Sequence, residues 1–149
     1  MTHITNLPSL RFEFPFIIGV QRPQKTGRYQ KSQTSMKIKT IKMKKGMCKV
    51  SVIYPNGEGK TFDMNYYLNT HLPLVAELLG DSLKGATVEK GLGGAIPGSA
   101  APFAGMGNMY FDSAADFGKA FGPNAEKIMG DLPNFTNIEP IVQVSEVMA

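Results

Sequence analysis

The chain has 149 residues, with 16 Lys and Arg against 12 Asp and Glu, for a formal net charge of +4. That length fits one domain able to bury its own core. A single cysteine, Cys48, excludes an intrachain disulfide and a cysteine-only metal site, and no stretch reaches the ~18 apolar residues of a membrane span.

The charge is unevenly placed. Residues 1–46 carry ten bases and one acid, Glu13, whereas residues 47–149 carry six bases and eleven acids, giving +9 and −5. The basic total therefore says nothing for a nucleic-acid partner of the acidic remainder. Residues 1–46 lack a sustained period of 2 or 3.6 and are rich in Lys, Gln, Thr and Ser, which predicts a disordered basic extension. A short strand over Phe12–Val20 would need a partner surface. That run contains Pro15 and Gly19 and is followed by no small-residue cleavage pattern, so it is not read as a secretory signal. Three readings of the extension compete: a basic arm, an organelle transit segment, or a start assigned too far upstream. The last is favoured, because Met36, Met43 and Met47 are candidate starts and orderly sequence begins at Met47. The working domain is thus placed at 47–149, with a cytoplasmic location.

Cys48 to Tyr54 alternates, with Val50, Val52 and Tyr54 on one face, and predicts a strand closed by Pro55-Asn56-Gly57. Asp63 caps a helix whose apolar face runs through Met64, Tyr67, Leu68, His71, Leu72, Val75 and Leu79 to a stop at Gly80. Pro73 lies inside it and predicts a kink near Asn69. Residues 83–92 read as a second strand. The loop Gly91–Pro102 has four glycines, two prolines and no charge, which suits a lid over an apolar pocket. Phe103–Phe111 is a third strand. Ser113 with Asp116 opens a helix bearing Phe117, Ala120 and Phe121, broken at Gly122-Pro123 and resumed with Ile128 and Met129. Ile138–Met148 is the last strand.

The order β-α-β-β-α-β is the ferredoxin-like arrangement of an α+β fold. Two helices cover one sheet face, and the strands carry too few charges for the other face to meet water. A homodimer joined through that face is therefore expected.

Two motifs mislead. Gly57-Glu58-Gly59-Lys60-Thr61 ends like a phosphate-binding loop, but Tyr54 stands where such a loop needs glycine, and Asp63 would repel phosphate. Gly91-Leu92-Gly93-Gly94 begins like a dinucleotide fingerprint but lacks its last glycine, and Pro97 follows where a helix should start. No His, Cys, Asp and Glu cluster has metal-ligand spacing, so neither metal nor nucleotide cofactor is expected.

His71 is the one histidine after residue 46. On the apolar face of the first helix it is either a core histidine bonded to a carbonyl or a general acid/base at the bottom of an apolar pocket, where an imidazole titrating near neutrality is useful. Tyr66, Tyr67 and the bend at Pro73 would shape that pocket.

The run Asp63-Met64-Asn65-Tyr66-Tyr67-Leu68-Asn69-Thr70-His71-Leu72-Pro73-Leu74-Val75 resembles the first-helix signature of the EthD family, named for ethyl tert-butyl ether degradation. The resemblance continues through Gly91–Gly94, Phe121–Pro123, Asp131–Asn137 and Gln143–Glu146, covering residues 48–148. It implies a dimeric α/β barrel and a small oxidoreductase-like enzyme acting on a small hydrophobic organic molecule without metal or nucleotide. Cofactor-free oxygenation, isomerisation and dehydration stand open as reactions. His71, Tyr66 and Tyr67 are the expected catalytic residues, with Asp63, Pro73, Gly93, Gly94 and Phe103 at the substrate pocket. The alternative is a non-catalytic ligand-binding or accessory protein serving an oxygenase system.

Overall fold

A computed structural model describes residues 41–149; the extension's short strand and most of its predicted disorder lie outside them. The strands are β1 (Cys48–Pro55), β2 (Gly85–Lys90), β3 (Phe103–Phe111) and β4 (Ile141–Glu146). They form one antiparallel sheet in the order β2-β3-β1-β4. Between β1 and β2 run α1 (Met64–Tyr66), a π-helical turn (Tyr67–His71) and α2 (Leu72–Leu79). Between β3 and β4 run α3 (Ala114–Phe121) and α4 (Ala125–Gly130), joined by a 3-10 turn at Gly122–Asn124. The fold is α+β with ferredoxin-like topology.

The helical caps follow the sequence. Asp63 accepts a bond from the Tyr66 N–H at 3.0 Å, and Ser113 accepts one from the Asp116 N–H at 3.1 Å. Gly80 closes α2 with φ +52°, a conformation that side chains with a Cβ resist. At the position of the expected kink, around Asn69, the helix takes a π turn. With no N–H Pro73 cannot continue the i to i−4 ladder, and the Leu72 N–H reaches back five residues to the Tyr67 carbonyl. The last strand is shorter than its apolar run. Pro140 delays it to Ile141, and Ile138 is buried in the core instead.

Register sorts the two sheet faces. Cys48, Val50, Val52 and Tyr54 share a face with their β3 partners Phe111, Met109, Gly107 and Gly105. The helices pack on this face, where Val75, Leu79 and Ile128 meet Val50 and the fully buried Phe111. Burying a side chain such as Phe111 stabilises by about 1.5–3 kcal/mol. The opposite face is mixed, where a continuous apolar surface was expected. Ile53, Met106 and Ile141 are neighbours at one end. Its middle is polar: Ser51 donates to Asn108 at 2.7 Å, and Asn108 donates to Glu89 at 2.8 Å.

Candidate active site

The site begins with a clamp between two segments far apart in sequence. The Asp63 N–H bonds to the Phe135 carbonyl at 2.8 Å, the Thr136 hydroxyl to the Thr61 carbonyl at 2.7 Å, and the Thr61 N–H to Asn137 Oδ1 at 2.8 Å. These bonds hold the start of α1 against residues 131–137. As a result Asp131 lies against His71, sixty positions earlier in the chain.

His71 is buried, and its Nδ1 lies 2.8 Å from Asp131 Oδ2. A carboxylate only accepts, so Nδ1 carries a proton, and in the neutral imidazole the lone pair is on Nε2. The other oxygen of Asp131 accepts from the Tyr66 hydroxyl at 3.0 Å and from Asn134 Nδ2 at 2.8 Å. Burial raises the pKa of Asp131, but the bonds from Asn134, His71 and Tyr66 outweigh it and hold the carboxyl below its ordinary range. Tyr66 is raised, first because ionising it would lose its bond to Asp131 and then by burial. His71 is also gripped by aromatic rings. Tyr67 stacks on it with centroids 5.3 Å apart, and Phe135 lies at 4.7 Å.

In front of His71, between the helices and the sheet, is a cavity of about 410 Å³. Its walls are mainly apolar, from Val52, Leu72, Val75, Met109, Phe117 and Phe121, and Tyr54, Tyr67 and His71 are the polar side chains among the lining residues on the helix-covered side of the sheet. That volume and lining suit a small organic ligand. Among the described residues no side chain bonds Nε2, and no polar side-chain atom is both sealed and unpartnered. Nε2 therefore opens onto the cavity that His71 lines. A base held by a carboxylate on one nitrogen and open on the other can take a proton from whatever fills the space.

A family model described as the EthD domain matches residues 56–139, more than half of the chain. The chain belongs to the EthD family. An EthD-like protein from Ralstonia eutropha JMP134 of known structure is 42% identical, with a TM-score of 0.68 over 71% of this chain and 96% of that one. An EthD family protein from Bacillus halodurans C-125 is 22% identical, with a TM-score of 0.49 over 68% of this chain and 99% of that one. No functionally curated protein matches.

This EthD-family chain brings only some of its anticipated site residues together. His71 and Tyr67 line the cavity. Tyr66 stands behind it, with its hydroxyl committed to Asp131. Asp63 caps α1 and borders a separate, polar cleft with Asn134 and Asn137. Pro73 acts on the backbone at the π turn. Gly93, Gly94 and Phe103 do not line the cavity. Their loop is tied to the end of the sheet, where the Asn56 N–H bonds to the Pro102 carbonyl at 2.8 Å and Asn56 Nδ2 to the Ala101 carbonyl at 3.0 Å. Sequence reasoning did not single out Asp131 or Asn134, although both stand in the stretch Asp131–Asn137. Among the described residues no group of three or more His, Cys, Asp or Glu could hold a metal ion, and no helix is long and apolar enough to cross a membrane.

Proposed function

We propose that this protein is an enzyme that moves a proton on a small, hydrophobic organic molecule, with His71 Nε2 as the base and Asp131 as its positioning residue. The observation that carries the reading is the His71–Asp131 pair at 2.8 Å, backed by two further bonds to the same carboxylate and beside an apolar cavity. A histidine kept only for packing needs no such support. Isomerisation, dehydration and oxygenation of an enolate-like intermediate all begin with removal of a proton from carbon, so the site suits each of them.

The test uses 2-tetralone, a compact ketone with acidic C–H groups, in D2O, with hydrogen exchange at C1 followed by NMR. The protein should accelerate exchange. His71→Asn, which retains a donor toward Asp131 but has no base, should abolish the acceleration while the protein stays folded. Exchange that persists in His71→Asn would refute the role of His71. A ligand that binds unchanged to both forms, with no exchange by either, would favour the binding or accessory reading.

The proposal includes a homodimer. Ile141, Val142 and Val144 on the outer strand β4 are each about half exposed, at 54%, 51% and 49%. An apolar sheet edge of this kind is normally covered. Sedimentation at micromolar protein should give twice the monomer mass; a monomer there would refute this part of the proposal.

A further inference from the structure

We propose that the hydroxyls of Tyr54 and Tyr67 together form an oxygen-binding end of the cavity, and that the substrate is a compact, otherwise apolar ketone whose carbonyl oxygen sits there with the adjacent C–H at His71. The inference rests on the reading of His71 as a base and adds the substrate class and a second phenol, Tyr54, from the sheet.

Tyr54 comes from β1 and Tyr67 from the π turn; they are 2% and 4% exposed. Their rings meet edge to face with centroids 5.9 Å apart. Tyr67 also stacks on His71, so base and phenol share one wall of the cavity. Tyr67 can reach the sheet only because position 107 is glycine. A Cβ there would fall on the Tyr67 hydroxyl. A buried phenol usually gives its proton to a carbonyl or carboxylate. Here the Tyr54 hydroxyl donates to the Tyr67 oxygen instead, and among the described residues the Tyr67 hydrogen has no carbonyl or carboxylate to go to. Both residues line the cavity, so the Tyr67 O–H is the donor left for a ligand.

Both phenols also keep their protons at neutral pH. Burial pushes Tyr54 well up, helped by the neighbouring Tyr67. Burial pushes Tyr67 up to about 12, opposed by the Tyr54 hydroxyl and aided by the negative charge of Glu89. A neutral phenol pair with one uncommitted O–H in an apolar chamber calls for an acceptor oxygen on the ligand, and a purely hydrocarbon ligand would leave that O–H unpaired.

The step balances without an oxidant. Nε2 takes the proton from the carbon next to the carbonyl, and the C–H electron pair becomes the C=C bond of an enolate. The carbonyl π pair moves onto oxygen, which accepts the Tyr67 hydrogen, a donor strengthened by the bond that Tyr67 itself receives from Tyr54. Return of the proton to the same carbon is the exchange reaction, and where a further C=C bond is conjugated with the enolate, return to the far end of that bond shifts the double bond and completes an isomerisation.

The test compares 2-naphthol with naphthalene, a pair that differs by one hydroxyl, by titration calorimetry. Exchange into 2-tetralone is measured alongside. The intact protein should prefer 2-naphthol by about tenfold or more, the scale of one or two net hydrogen bonds. Tyr54→Phe and Tyr67→Phe should each reduce that preference several-fold, leave naphthalene binding unchanged, and slow exchange by about 10²-fold. His71→Asn should abolish exchange and keep the 2-naphthol preference. A preference that survives both Tyr→Phe changes would overturn the assignment, as would binding of neither probe. A Tyr-dependent preference in a protein that never exchanges 2-tetralone would support the oxygen site and overturn only the role of His71.

Discussion

Replacing Asp131 by Asn keeps the side chain's shape and removes its charge. The carboxylate accepts from His71 and Asn134 at 2.8 Å and from Tyr66 at 3.0 Å. An amide has one oxygen to accept with and an NH2 that can only donate. If the oxygen stays with Tyr66 and Asn134, the NH2 meets His71 Nδ1, which must give up its hydrogen. The tautomer then inverts, and Nε2 carries a proton and cannot accept one. If the amide turns over, Tyr66 and Asn134 each face a donor. Either way at least one charge-assisted bond is lost, at about 1.5–3 kcal/mol. For a domain of this size roughly 2 kcal/mol lowers Tm by about 8–16 °C. Exchange of 2-tetralone should fall by about 10³–10⁴-fold, the range seen when an orienting carboxylate is removed from its histidine. Thermal melts and exchange rates measured on the same preparation separate the two effects. An unchanged exchange rate in a folded Asp131→Asn protein would refute the claim that Asp131 orients His71.

Stability should depend on pH through the same carboxylate. Asp131 has its folded pKa below the ordinary 3.8, despite burial, because of the bonds from Asn134, His71 and Tyr66. Its contribution is therefore complete above 3.8 and is lost as pH falls through the lower folded value. The Tm gap between the wild type and Asp131→Asn should hold at neutral pH and close in acid, as followed by melts across that range. Gly107→Ala should drive a methyl into the Tyr67 hydroxyl, cost about 1–3 kcal/mol and weaken 2-naphthol binding. A normal Tm with normal binding would contradict the close approach of Tyr67 to the sheet. Ser113→Ala removes the acceptor for the Asp116 N–H and should cost about 1 kcal/mol with no change in exchange, since α3 starts away from His71.

Local signals in the sequence carried most of the fold. Alternation along Cys48–Tyr54, the caps at Asp63 and Ser113 and the stop at Gly80 all reappear in the elements. Each depends on a few neighbouring residues. Pro73 announced an irregularity in the helix near Asn69 but not that it would be a π turn, in which the Leu72 N–H bonds to the Tyr67 carbonyl. Tyr67 and His71 end on the same wall of the cavity, and the five-residue turn spans both. The opposite sheet face was misjudged because pairing register decides which residues share a side. Met109 and Phe111 go inward, while Asn108 and Glu89 make the other face polar. His71 was legible as the one titratable group on an apolar helix face. Asp131 was not, because its role arises from the clamp between Thr61–Asp63 and Phe135–Asn137. Nothing in the spacing of sixty residues announces that contact. The glycine-rich loop was chemically suited to a lid, but its anchors lie at Asn56 and the end of the sheet.

To act as the proposed base, His71 needs a neutral imidazole with its hydrogen on Nδ1, facing Asp131, and Nε2 directed at the ligand. The most direct measurement is the pair of imidazole ¹⁵N resonances of His71, recorded in the free protein and again with saturating 2-tetralone. A protonated Nδ1, a bare Nε2 and a ligand-induced shift at Nε2 are expected. A proton on Nε2 in the free protein, or a ligand that binds without moving that resonance, would contradict the role of His71 as the base.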